Sequence, residues 1–301
     1  MPQQYAKPMV MVCTWVLSLA AGTAGPVHAR SLAAIQQSQE IRVCLSPIHP
    51  SAVVAQPPDC RDDCTFSGSV YEAVLAFVAT LGTDIKPTFR RVAWDEQFFN
   101  QQGQTDREAS YTPALLASGT CDLYPSNLTI TAWRLKKLDF VPLFQSRMMV
   151  VVNTARQKQF KGPADLACKT AAVQKDTSFH TWLQAQNEDA YAANPVQIQL
   201  LGQDASLTAV DAGAVDFAMA DADAAIWSTR YEFKNAIVAF PVGPTDEIGW
   251  AFRKEDQDLQ AAVAQFFARQ KASPTSTLNR IWENHFGLTL NKFETLVKTL
   301  R

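Results

Sequence analysis

Along the chain, short apolar runs alternate with segments whose apolar positions recur every three or four residues. Ile41–Leu45 reads as a strand, and Val70, Val74, Phe77, Val78 and Leu81 form one helix face that Gly82 closes. Ile85–Val92 predicts a second strand. Trp94–Asn100 predicts a helix that breaks at Gln101-Gln102-Gly103-Gln104, which leaves the polar stretch 101–111 as a surface insertion. A helical turn over Pro113–Ser118 leads through Gly119 to a strand at Cys121–Tyr124. Met148–Val152 is a continuous apolar run, as expected of a strand covered on both faces. Three strand–helix pairs follow: Thr170–Val173 with Ser178–Ala185, Val196–Leu201 with Asp204–Val210, and Val215–Met219 with Asp221–Thr229. Ile237–Phe240 and Ile248–Phe252 read as separate strands. Of two closing helices, the first buries Leu259, Val263, Phe266 and Phe267, and the second, Thr277–His285, stops at Gly287.

This alternation argues for an α/β fold with largely parallel sheets. The length is generous for one doubly wound sheet, so two α/β lobes are expected. Ligands in such folds bind where strands end and helices begin. Three segments qualify: 125–134, 174–179 and 220–223.

The first residues differ from the rest. Met9–Gly25 is almost wholly apolar or small, Lys7 is the sole charge before Arg30, and Val27-His28-Ala29 places small residues at a cleavage site. That pattern is a secretory signal peptide over 1–29, with a membrane anchor as the alternative. The mature chain is then exported to the periplasm. Export bears on the cysteines, because an oxidising compartment permits disulfides. Five remain after cleavage: Cys44, Cys60, Cys64, Cys121 and Cys168. A small loop bridge between Cys60 and Cys64 is expected, Cys44 reads as a buried small hydrophobe in its strand, and the odd count leaves one thiol free. A zinc site at Cys60 and Cys64 lacks a second close Cys/His pair.

The 301 residues are 47% apolar and 19% charged, enough for a sizeable core. A formal charge of −2 argues against a nucleic-acid or anionic-membrane binder.

The most specific stretch is Asn127-Leu128-Thr129-Ile130-Thr131-Ala132-Trp133-Arg134-Leu135-Lys136-Lys137-Leu138-Asp139-Phe140. It resembles the signature of type 2 periplasmic solute-binding proteins of family 3, the group that binds amino acids. Leu115–Asp122, Val215–Asp221 and Phe266–Gly287 resemble that family's lead-in, second-lobe strand and closing helices, so the likeness covers about residues 40–288. Asp221–Phe240, Ile248–Phe252 and the tail 259–287 also resemble the solute-binding module of membrane-bound lytic transglycosylase F. Only a short tail follows Gly287, so that enzyme's helical catalytic domain is not expected, and its activity is not carried over.

The resemblance implies a two-lobed fold with two crossings: lobe 1 at 40–143 plus 249–301, lobe 2 at 149–244, and hinges at 144–148 and 245–248. It also implies a ligand site. A free amino acid brings a carboxylate and an ammonium, and neither can be buried unpaired. Arg134 would clamp the carboxylate through its planar fork, helped by Thr129 and by the helix-start N–H groups of Thr177 and Ser178. Asp221 and the Asn127 carbonyl would take the ammonium, and Trp94 would stack on the ligand. Each role has a plainer alternative. Arg134 would be a solvated helix charge, Asp221, Thr177 and Ser178 helix caps, and Trp94 ordinary core. The chain departs from the family pattern at Ser46–Pro50, where His49 is either a replacement wall or an exposed loop residue. It departs again at Asp176, where the family has glycine.

Three function classes follow. The first is an exported, monomeric receptor for an amino acid or related zwitterion, delivering it to an ABC permease or sensor in the inner membrane. The second is a binding fold that has lost its solute and works through protein contacts in cell-wall maintenance. The third is a peptidoglycan-processing enzyme. No Gly-x-Ser-x-Gly elbow, His-Glu-x-x-His helix or phosphate loop is present, so neither catalysis nor a cofactor or metal is expected.

Overall fold

The computed structural model describes Met1 and residues 30–300, and all but Met1 of the expected leader over 1–29 lies outside the described residues. In chain order the elements are α1 (Leu32–Ser38), β1 (Glu40–Leu45), β2 (Val54–Gln56), β3 (Thr65–Ser67), α2 (Ser69–Val78), β4 (Lys86–Arg91), α3 (Ala114–Ala117), β5 (Tyr124–Thr129), α4 (Ala132–Leu135) and β6 (Asp139–Asn153). They continue with β7 (Thr170–Val173), α5 (Ser178–Glu188), β8 (Gln197–Leu200), α6 (Gln203–Asp211), β9 (Phe217–Asp221), α7 (Ala222–Tyr231), β10 (Ala236–Phe252), α8 (Gln257–Ala272), α9 (Thr277–Phe286) and α10 (Leu290–Thr299).

Two lobes form around parallel pairings. β1 pairs with β4 in one, and β7 pairs with β8 and β9 in the other. β6 and β10 join them as an antiparallel pair of 15 and 17 residues, with β5 on one flank and β9 on the other. Period-two alternation explains why Met148–Val152 is apolar throughout. Met148, Val150 and Val152 face one core with Phe217 and Met219, while Met149 and Val151 face another with Ala218 and Ala220. That second core runs on through Trp250, Phe266, Trp282 and Phe293, so α8–α10 are held by aromatic burial rather than by propensity.

Several elements depart from the sequence pattern. The strand expected at Cys121–Tyr124 instead begins at Tyr124 and carries the signature to Thr129, with Leu123 making a single bridge to Val43. The two strands expected at 237–240 and 248–252 are one strand. Its polar middle, Thr245–Glu247, stays paired with Gln145–Arg147 and so keeps its ladder without an apolar face. Gly249 is required in that strand, because a Cβ there would come within 2.5 Å of the Val141 carbonyl oxygen. The 94–100 helix is a single 3₁₀ turn, Asp95–Phe98. α1 and the β2–β3 hairpin are too short to carry a readable period, while α10, which buries Leu290, Phe293 and Val297, is an element the sequence reading does not include.

Cys44 is not a lone buried hydrophobe. It is bonded to Cys121, tying β1 to the strand bridge beside it. Cys60 and Cys64 form the expected loop bridge, and Cys168 is free and exposed. Among the described residues, no helix is long and apolar enough to cross a membrane.

Candidate functional site

The three strand-to-helix junctions singled out in the sequence meet at one cavity of about 50 Å³ between the lobes. From the first lobe come Ile48, His49, Trp94, Asn127, Thr129 and Arg134. Thr177, Ser178, Phe179, Gln203, Asp221 and Ala224 close it from the other side. All eight residues expected from the sequence are in this lining.

Arg134 is fully buried, so it is not a solvated helix charge. α4 is one turn long and starts directly after β5, which swings the side chain back under the strand end. Its Nη1 donates to the Thr129 carbonyl at 2.7 Å and its Nη2 to the Asp176 carbonyl at 3.1 Å. The guanidinium lies 5.2 Å from the Trp94 ring, 4.9 Å from Phe98 and 5.2 Å from Trp133. Aromatic faces stabilise a desolvated cation where water cannot. Burial pushes its pKa down to about 9, with Asp221 the leading opposing charge, so it stays protonated at neutral pH. Two of its five N–H donors are used by backbone, and Nε is buried without a partner.

Asp221 stands at the N-cap position of α7, yet its side chain makes no cap hydrogen bond. Its Oδ1 is buried and has no partner among the described residues. Burial, with Asp223 and Asp246 adding like charge, raises its pKa well above the ordinary carboxylate value, and Arg134 pulls the other way. Burial also raises Asp223 to about 6 and lifts Asp246. Asp221 and Asp246 therefore both act on the Arg134 guanidinium, with Asp223 adding like charge beside Asp221, an arrangement that an added cation would relieve.

Thr177 does cap α5, accepting from the His180 N–H at 3.2 Å. The first N–H groups of that helix, Ser178 included, lack intrahelical partners, and Thr177, Ser178 and Phe179 line the cavity. The Ser178 hydroxyl meets the Thr129 hydroxyl at 3.4 Å. Asn127 holds a left-handed φ of 50° at the cavity edge, with its side-chain oxygen unpartnered. Trp94 contributes a buried ring edge-on to Phe98 at 5.6 Å, and its Nε1 lacks a partner. Asp176 adopts φ 62°, the left-handed region glycine enters freely, and this explains why a glycine suits the position.

His49 is not an exposed loop residue. It is 3% exposed, with Nδ1 2.5 Å from the Ser51 hydroxyl and Nε2 2.6 Å from Ser228 on α7. Burial lowers its pKa to about 4, so it is neutral in the folded chain. An unfolded histidine protonates near 6.5. Stability is thus fully present above about pH 6.5 and is lost as pH falls toward 4, by on the order of 3 kcal/mol for a shift of this size. Urea unfolding at pH 7 and pH 4.5 is expected to show that loss in the parent, and a smaller one in His49→Asn.

The polar 101–111 segment does more than cover surface. Lys137 donates to the Arg107 and Ala109 carbonyls at 3.3 and 2.7 Å, and Arg107 then pairs with Asp176 across the cleft at 3.1 Å. Sequence reasoning missed Arg107, and it also missed the lining residues Gln203, Phe179, Ile48 and Ala224. Gln203 follows β8 directly at the start of α6, so the strand-end rule would have found it.

The model of the bacterial extracellular solute-binding proteins, family 3, matches residues 104–288, more than half of the chain. The chain belongs to this family. Family 3 membership accounts for the signature at the end of β5. An ancestral amino acid-binding protein, described as a precursor of cyclohexadienyl dehydratase, superposes with a TM-score of 0.67 at 22% identity, covering 85% of this chain and 99% of that one. A Streptococcus pneumoniae amino acid ABC transporter substrate-binding protein bound to L-arginine gives 0.67 at 19% identity, over 86% and 99%. At these identities the likeness is one of fold, the two-lobed arrangement. The membrane-bound lytic murein transglycosylase F of Desulfosudis oleivorans is 25% identical over 219 residues, 73% of this chain. This chain spans 44% of that relative's length.

Proposed function

We propose that this family 3 protein captures a small zwitterion, an amino acid or close relative, in the cavity between its lobes. The observation that carries the reading is one cavity that brings together a buried, aromatic-supported guanidinium and a buried carboxyl whose oxygen has no partner among the described residues. Arg134 takes the ligand carboxylate with its free donors, assisted by Ser178 and Thr129. Asp221 and Asn127 take the ammonium. Trp94 and His49 form walls, and Thr177 fixes the helix start that presents the N–H groups.

In this reading the lobes are residues 40–143 with 249–301, and 149–244, hinged at 144–148 and 245–248. Contacts to both lobes make the ligand favour closure. The chain is exported after removal of residues 1–29 and works in the periplasm as a monomer, handing its solute to an ABC permease or a sensor. The two disulfides fit that oxidising compartment. The bound solute leaves unchanged, so the protein is a receptor and not an enzyme.

One observation favours a second reading, a binding fold that acts through protein contacts in cell-wall maintenance. Protein groups alone link the two sides of the cleft, Arg134 to the Asp176 carbonyl and Arg107 to the Asp176 carboxylate. A thermal-shift screen of residues 30–301 against L-amino acids and muropeptide fragments separates the two. A cognate solute at 100 times its Kd adds about 2.7 kcal/mol, whereas a flat screen on folded protein leaves the second reading.

A further inference from the structure

The inner cavity does not end at Trp94. A second cavity of about 260 Å³ shares Ile48, Trp94 and Gln203 with it as walls. A third, of about 240 Å³, shares Pro47, Arg91 and Asp204 with the second. The cleft therefore continues outward between the loop after β1 and the start of α6, with far more room than the inner site.

Two charged residues, Arg91 and the solvent-exposed Asp204, face this outer space, and neither is paired among the described residues. Arg91 ends β4 in the first lobe. Its neighbours are engaged, Arg90 with Asp62 at 2.9 Å and Arg61 with Glu96 at 2.7 Å. Arg91 has no carboxylate within 4.0 Å among the described residues, and its Nε is buried without a hydrogen-bond partner. Asp204 stands in the first turn of α6 in the other lobe, again with no ion-pair partner among the described residues. The two line both outer cavities without reaching each other. A buried donor left unsatisfied calls for a partner that the described residues do not supply.

The inner site already holds one cation and one carboxyl, Arg134 and Asp221, suited to one zwitterion. Arg91 and Asp204 repeat that pairing further out. We propose that the solute is a diamino dicarboxylic acid, with one amino-acid end on Arg134 and Asp221 and the other on Arg91 and Asp204. This rests on the zwitterion-binding reading above. An ordinary side chain would leave at least one outer charge unmatched. A lysine-like arm offers nothing to Arg91, and a glutamate-like arm nothing to Asp204.

The test is calorimetric titration of residues 30–301 with meso-diaminopimelate, L-cystine, L-lysine, L-glutamate and L-alanine. At least one of the first two is expected to bind ten times or more tighter than the other three. Arg91→Ala is expected to remove that advantage while leaving L-lysine and L-alanine within about twofold. Asp204→Asn is expected to remove it while sparing L-glutamate. Tightest binding of a single zwitterion, or an Arg91→Ala effect that is nil or equal for all probes, overturns the proposal and leaves the inner-site reading intact. Binding of no probe, or binding untouched by Arg134→Ala, overturns both. Circular dichroism of each variant checks that a loss is not unfolding.

Discussion

Replacing Arg134 with alanine is expected to weaken solute binding by about 5 kcal/mol, a few thousandfold, because the ligand carboxylate is then buried with no cation. The guanidinium is fully buried, and among the described residues no other cation lines the inner cavity. Lysine is not expected to rescue it. An ammonium cannot hold the Thr129 and Asp176 carbonyls and still offer a fork to a carboxylate. Removing Arg134 also leaves two carbonyls and three aromatic faces without their partner, so the unliganded variant loses stability as well. Calorimetric titration for binding and urea unfolding for stability separate the two effects. Parent-like affinity in a folded Arg134→Ala protein would assign the carboxylate to some other group.

The second large effect is at Asp221, where binding and stability are expected to move in opposite directions. Its carboxyl is raised by burial, Asp223 and Asp246. A folded-state value above the unfolded one means the native chain holds a proton that the unfolded chain releases. That stability is present below the unfolded pKa and is lost as pH rises through the folded value. Asp221→Asn removes the penalty, so the unliganded variant is expected to be at least as stable as the parent at pH 7.5. Solute binding should fall by about 4 kcal/mol, roughly a thousandfold, because the ammonium loses its carboxylate. In the parent, an arriving ammonium lowers the Asp221 pKa, so binding releases a proton and affinity rises with pH. Titration in buffers of different ionisation enthalpy reads that proton directly. Proton uptake on binding, or an affinity that falls between pH 5 and 7, would sink the assignment.

These expectations depend on how the lobes meet, and the sequence shows only part of that. The alternation of strands and helices was legible because burial imposes periods of two and 3.6 on the chain, and β6 and α2 follow those periods closely. Eight residues lining the inner cavity were legible because ligands in α/β folds are expected where strands end and helices begin, and Thr129 and Asp221 end strands while Thr177 starts a helix. The continuous β10 was not legible. Its middle, Thr245–Glu247, is polar and is held by backbone pairing to β6, which leaves no apolar trace. The Cys44–Cys121 bond was hidden for a related reason. Two cysteines 77 residues apart become partners only once β1 and the approach to β5 lie side by side.

The amino-acid sequence by itself determined the class of fold, the family and eight of the twelve residues that line the inner cavity, because local periodicity and a contiguous signature need no knowledge of distant contacts. Only the tertiary structure decided their states. It buried Arg134 among three aromatic rings, left Asp221 uncapped beside two other carboxyls, and turned His49 inward onto Ser228. It also closed Arg107 over Asp176 and set Arg91 and Asp204 apart across an outer cavity. Charge state and reach depend on what surrounds a group in space, and those surroundings come from segments that the chain order keeps far apart.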